Sequence, residues 1–146
     1  MDKNNLALQA AQAVDTDELV HLTQELVRIP SYFPGPGEQP VVDFLEPYLK
    51  ARGFTTTVQE VAPGRPNLIA DLGQGPGGLI LEGHTDVVTH GNPEQWTMPP
   101  YEARIVGGKI YGRGACDMKG GLAAAIVAAQ AVRGVLGEPD KTLRLC

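Results

Sequence analysis

The residues with the clearest chemical potential lie in the run Gly83-His84-Thr85-Asp86-Val87-Val88. In an extended chain, residues two apart point to one side, so His84 and Asp86 share a face and Thr85 points away. A histidine oriented by a nearby carboxylate suits metal ligation, because the carboxylate fixes the ring and makes its other nitrogen more basic. A second candidate follows in Tyr111-Gly112-Arg113-Gly114-Ala115-Cys116-Asp117-Met118-Lys119-Gly120-Gly121. Asp117 stands between a glycine-rich turn and an apolar helix, and the glycines let the backbone fold back toward the first run. A carboxylate placed there could bridge two divalent ions. Spacing alone leaves another reading open: His84 as a satisfied loop histidine, with Asp86 and Asp117 as turn or cap residues.

The elements that must position these side chains can be read from periodicity. Residues 1–14 read as a flexible N-terminal arm, and 15–146 as one unit. Asp15 and Glu18 form a capping box, and Leu19, Leu22 and Leu26 recur at helical spacing, which predicts a helix from Thr16 to Ile29 ended by Pro30. A second helix spans Glu38 to Arg52, with Pro47 expected to kink or divide it and Gly53 to cap it. Phe54–Val61 and Asn67–Leu72 read as strands. Leu79–Glu82, a short apolar run bounded by glycines, reads as a buried central strand. The run from Ile105 to Tyr111 reads as a hairpin turning on Gly107-Gly108. Met118–Arg133 is an Ala-rich helix, apolar nearly all round, that needs cover on more than one side. Thr142–Cys146 starts another central strand, with its neighbour on one side expected to be missing. Intermixed helices and strands make the class α/β. His84 then lies just past a strand's carboxyl end, where ligand sites of open α/β sheets occur.

Composition narrows the function classes. The chain has 146 residues, 42% hydrophobic and 20% charged, enough for one folded domain but not two. Its net charge of −5 argues against nucleic acid or an anionic membrane as partner. No run reads as long enough to span a membrane. The polar residues Gln9 and Gln12 exclude a signal peptide. Two cysteines, Cys116 and Cys146, are too few for a disulfide framework, so a reduced cytoplasmic setting is expected. No G-x-G-x-x-G follows a strand and opens a helix, which ranks a nucleotide-binding domain low.

The stretch from Leu79 to Val132 resembles the signature region of the zinc metallopeptidases and amidohydrolases that include acetylornithine deacetylase, succinyl-diaminopimelate desuccinylase, aminoacylase and carboxypeptidase G. Three pieces carry the resemblance: Leu79 through Val88, then Trp96 through Tyr101, then Gly107 through Ile126. It implies part of a three-layer α/β/α catalytic domain around a mixed sheet. It implies two divalent ions, zinc with cobalt or manganese as alternatives, and hydrolysis of an amide bond in a small N-acyl amino acid or peptide. His84 would bind one ion, Asp117 would bridge both, and Asp86 would be the catalytic residue that holds the His84 ring. A cis bond after Asp117 is implied as well.

The resemblance also implies parts that the chain lacks. A Glu-Glu pair should follow the next strand, its first member the general base, and this sequence contains no such dipeptide. A further acidic ligand, a late histidine, and a smaller domain that forms a lid and a homodimer surface are absent too. The expectation is an N-terminal fragment of a hydrolase, inactive alone. The alternative is a standalone non-catalytic module that binds a metal or a partner. Several residues carry blander expectations: His21 is solvated, His90 is a loop histidine away from any metal, Cys116 is a small buried side chain, Trp96 packs its loop, and Arg113 pairs with a carboxylate.

Overall fold

The computed structural model describes residues 3–146. Helix α1 (Lys3–Gln12) is followed by α2 (Thr16–Arg28), α3 (Gln39–Lys50), and the antiparallel strands β1 (Thr55–Ala62) and β2 (Arg65–Leu72). Then come β3 (Gly78–Leu81), the hairpin β4 (Arg104–Val106) and β5 (Lys109–Tyr111), the long helix α4 (Gly120–Leu136), and β6 (Thr142–Leu145). The class is α/β with a mixed sheet of order β1-β2-β6-β3, in which β6 runs antiparallel to β2 and parallel to β3.

The expected helix ends hold for local reasons. Asp15 caps α2 by accepting from the Asp17 and Glu18 amides. Glu18 does not complete the box; its carboxylate accepts from Arg52 at 2.7 Å and from the Tyr48 hydroxyl. Pro47 sits inside α3 without dividing it, on the exposed side. The hairpin turns on Gly107 and Gly108, both at positive φ, as its twist requires.

A single core joins the helices to the sheet. Leu22 and Leu26 of α2, Val41, Leu45 and Leu49 of α3, and Ala123, Ile126 and Val127 of α4 bury against Ala70, Leu72 and Leu145. Helix α3 lies over β1 and β2, while α4 packs on β6 and is covered by α1 and α2. By length and composition alone, the stretch Ala115–Leu136 is apolar enough to cross a membrane, which a count of unbroken apolar runs overlooks. Here Ala123, Ile126, Val127, Ala129 and Ala131 are buried within the fold, while Leu136 is half exposed.

Four expectations need correction. The arm expected over 1–14 is helical from Lys3 to Gln12, with Met1 and Asp2 outside the described residues. Its Ala-rich sequence favours helix, and Leu6 and Ala10, one turn apart, are half-buried while the helix rests on α4. Strand β3 is not central. It forms one edge of the sheet, with Leu79 54% and Ile80 64% exposed. The unpaired strand is therefore β3, and β6, expected to lack a neighbour, is paired on both sides. Cys116 is exposed, not buried, because its turn leaves the core before α4 begins.

Candidate metal centre

His84 follows the carboxyl end of β3, in a stretch with no regular secondary structure. Gly83 lets that stretch descend onto α4: a Cβ there would lie 2.5 Å from Leu122 Cδ2 and 3.0 Å from the Met118 methyl. The His84 amide points at the Met118 sulfur at 3.3 Å. Asp117 lies in a tight turn, Ala115–Lys119, entered through Gly114 at φ +82° and containing a cis Asp117-Met118 bond, as the resemblance implied. Gly114 is required twice over, by its positive φ and because a Cβ would sit 2.5 Å from Val87 Cγ1. Two glycines thus allow the two sequence blocks to close on one another.

The closure brings His84 and Asp117 into contact. Nε2 of His84 is 3.0 Å from Asp117 Oδ1. Asp86 takes the opposite ring nitrogen, as its shared face with His84 predicts. The nearer acceptor is the Asp86 backbone carbonyl, 3.0 Å from Nδ1, with the carboxylate Oδ1 at 3.2 Å. Orientation by the main chain was not foreseen. Burial disfavours the His84 imidazolium, but the Asp86 carbonyl and the carboxylates of Asp117 and Asp86 outweigh it, and the pKa lies above its ordinary value.

The donor set fits a borderline divalent cation. An imidazole nitrogen and a carboxylate oxygen are both ordinary zinc ligands, and two such donors on one tetrahedral ion stand about 3.3 Å apart, close to the separation found here. Asp117 is 86% exposed at its side chain, so an ion can reach it. Among the described residues no cluster of three or more His, Cys, Asp or Glu is arranged to hold a metal. His84 and Asp117 therefore offer two ligands, and Asp86 fixes the ring of one.

A cavity of about 630 Å³ opens beside the pair, between α3, β2 and α4. His84, Asp86 and Met118 are among its lining residues, as are Glu38, Arg65 and Val42. Arg65 is held by Glu38 through Nε and Nη2. This arginine was missed from the sequence, where it reads only as a residue of the β1–β2 turn. The other polar residues fall elsewhere. His90 packs edge-on to Tyr32 and Tyr101 and contacts the Tyr101 hydroxyl at 3.3 Å. Trp96 ties its loop by donating Nε1–H to the His90 carbonyl at 2.7 Å. Arg113 lies over the Trp96 ring rather than against a carboxylate, and His21 is exposed.

The sequence profile of peptidase family M20/M25/M40 matches residues 80–146, which contain His84, Asp86 and Asp117. This segment is similar to the M20 peptidases. Solved structures agree across the wider chain. An M20 family metallo-carboxypeptidase from Sulfolobus solfataricus shares 25% identity at a TM-score of 0.77, over 88% of this chain and 30% of that one. Human carnosine dipeptidase 1 shares 25% identity at 0.78, over 96% and 33%. A dipeptidase from Saccharomyces cerevisiae, at 19% identity and 0.78, shares the fold over 95% and 33%. The chain thus spans about a third of the length of these three structures.

Proposed function

We propose that this chain supplies one part of a two-metal hydrolytic site that cleaves the amide bond of an N-acyl amino acid or a small peptide. The observation that carries the reading is the contact between His84 Nε2 and Asp117 Oδ1, with Nδ1 already occupied by Asp86. His84 and Asp117 would hold a divalent ion, zinc or else cobalt or manganese. Bound there, such ions polarise a carbonyl and lower the pKa of water. The chain's own residues do the rest of what is seen here. Asp86 fixes the imidazole so that Nε2 faces Asp117, and the cavity lined by Arg65 and His84 would give a small substrate access to His84. With two ligands and no paired glutamates, the 146-residue chain alone is inactive. The complete enzyme is a cytoplasmic homodimer acting on soluble small molecules.

The test uses a polypeptide that contains this chain and spans the length of its relatives. It should release amino acid from N-acetyl amino acids or dipeptides in a zinc-dependent way. His84→Ala and Asp117→Ala should each reduce release to background. Asp86→Ala should lose more turnover than metal, because the backbone carbonyl still holds Nδ1. Retained turnover in the Asp117 variant would overturn the assignment.

A further inference from the structure

Two of the few fully buried polar side chains among the described residues, Ser31 and Lys119, are both tied to the stretch from the last turn of α2 through Tyr32. Ser31 Oγ donates to the Thr85 carbonyl at 2.7 Å, and the Ser31 carbonyl accepts from the Val87 amide at 3.2 Å. Tyr32 and Val87 form an isolated parallel bridge beside them. The peptides on both sides of Asp86 are therefore pinned to Ser31. On the other flank, Lys119 lies two residues after Asp117. Its Nζ donates to the carbonyls of Leu26 at 2.9 Å and Ile29 at 2.6 Å, at the carboxyl end of α2. Those carbonyls lie at the last turn and C-cap of α2, where a cation is favoured; Leu26 also accepts from the Ile29 amide, and the Ile29 carbonyl has Lys119 as its donor. The Lys119 amide closes the Asp117 turn onto Gly114 at 2.9 Å.

We propose that the segment from Leu26 to Tyr32 is a strut that sets the spacing of His84 and Asp117, with Ser31 and Lys119 as the positioning residues at its two ends. Neither residue touches the His84–Asp117 pair. Ser31 acts on His84 through the main chain around Asp86, whose carbonyl holds Nδ1, and Lys119 acts on Asp117 through its turn. The two site blocks come from positions more than thirty residues apart, and His84 N to Met118 Sδ is the one other direct polar tie between them. The strut supplies a stiff link, because the Ser31 hydroxyl and the Lys119 ammonium at its two ends are fully buried and hydrogen-bonded, and leaving one unpaired is costly. The consequence for metal binding rests on the function proposed above; the spacing itself does not.

The experiment uses the whole 146-residue chain, kept metal-free with chelator at one fixed pH. Long-range 15N–1H spectra resolve the rings of His21, His84 and His90, and backbone amides of Thr55–Leu72 report whether the sheet is intact. In Ser31→Ala and in Lys119→Met, the His84 ring shifts should move toward those of exposed His21, while the amides of β1 and β2 stay in place. Should Lys119→Met fail to fold, the milder Ser31→Ala carries the test. A folded Ser31→Ala chain with unmoved His84 ring nitrogens would overturn the strut. Zinc added afterwards reads the other claim. A His84→Ala chain that binds zinc as tightly as wild type would overturn the metal reading and leave the strut standing.

Discussion

The rim of the candidate site and the free edge of the sheet invert the usual link between regularity and cover. The rim, His84 to His90 with the Asp117 turn, has almost no regular secondary structure. Yet it is fixed by two fully buried polar side chains and by glycines at van der Waals contact with the opposite block. The β3 edge is regular, paired in register with β6 over four residues, and it leaves Leu79 and Ile80 largely in solvent. The irregular region is the better anchored of the two. Cooperative local stability follows burial and satisfied hydrogen bonds more than the secondary-structure label.

Substitutions at the two regions should therefore differ sharply. Lys119→Met keeps most of the apolar stem but leaves the Ile29 carbonyl without its donor, while the Leu26 carbonyl keeps the Ile29 amide. At about 1–3 kcal/mol for an unsatisfied buried acceptor, a loss of about 2 kcal/mol is expected in urea unfolding. A cost below about 1 kcal/mol would break the contrast. A pH series gives a smaller effect. The Arg65 hydrogen bonds hold the Glu38 carboxyl below its ordinary value, against the cost of burial, and Arg144 does the same for Asp71. Both groups have folded pKa values below their unfolded ones. Their contribution is thus present above the ordinary carboxylate range and is lost as pH falls through the folded values. Stability should drop as pH falls below about 4.5, and Arg65→Gln should flatten that drop. The smallest effect on stability belongs to the edge. Ile80→Lys places a charge on an exposed strand position and should change unfolding by under about 0.5 kcal/mol. It should still reduce aggregation seen by light scattering, because an uncovered apolar edge templates association.

Much of this arrangement was readable before the fold was known, and the exceptions have physical causes. Helices α2 and α3, the Gly107-Gly108 hairpin and β6 follow from periodicity, capping and turn chemistry. The facing of His84 and Asp117 follows from motif order and the two-residue period of extended chain. Strand β3 was misplaced because its apolar run looks like a central strand, and nothing local says that β6 will insert between it and β2. Helix α1 is weakly amphipathic, so its docking on α4 leaves little periodic trace. Ser31 and Lys119 could not be found, since a serine after a proline and a lysine before two glycines look like surface residues. Their partners lie 54 and about 90 residues away.

The central claim is that His84 and Asp117 share one cation. Crystals of the chain soaked in zinc, with anomalous differences collected at the zinc edge, test it most directly. The predicted result is a peak within about 2.0–2.2 Å of both His84 Nε2 and an Asp117 carboxylate oxygen. A peak at Cys146 or elsewhere, with His84 and Asp117 still in mutual contact and no density between them, would contradict it.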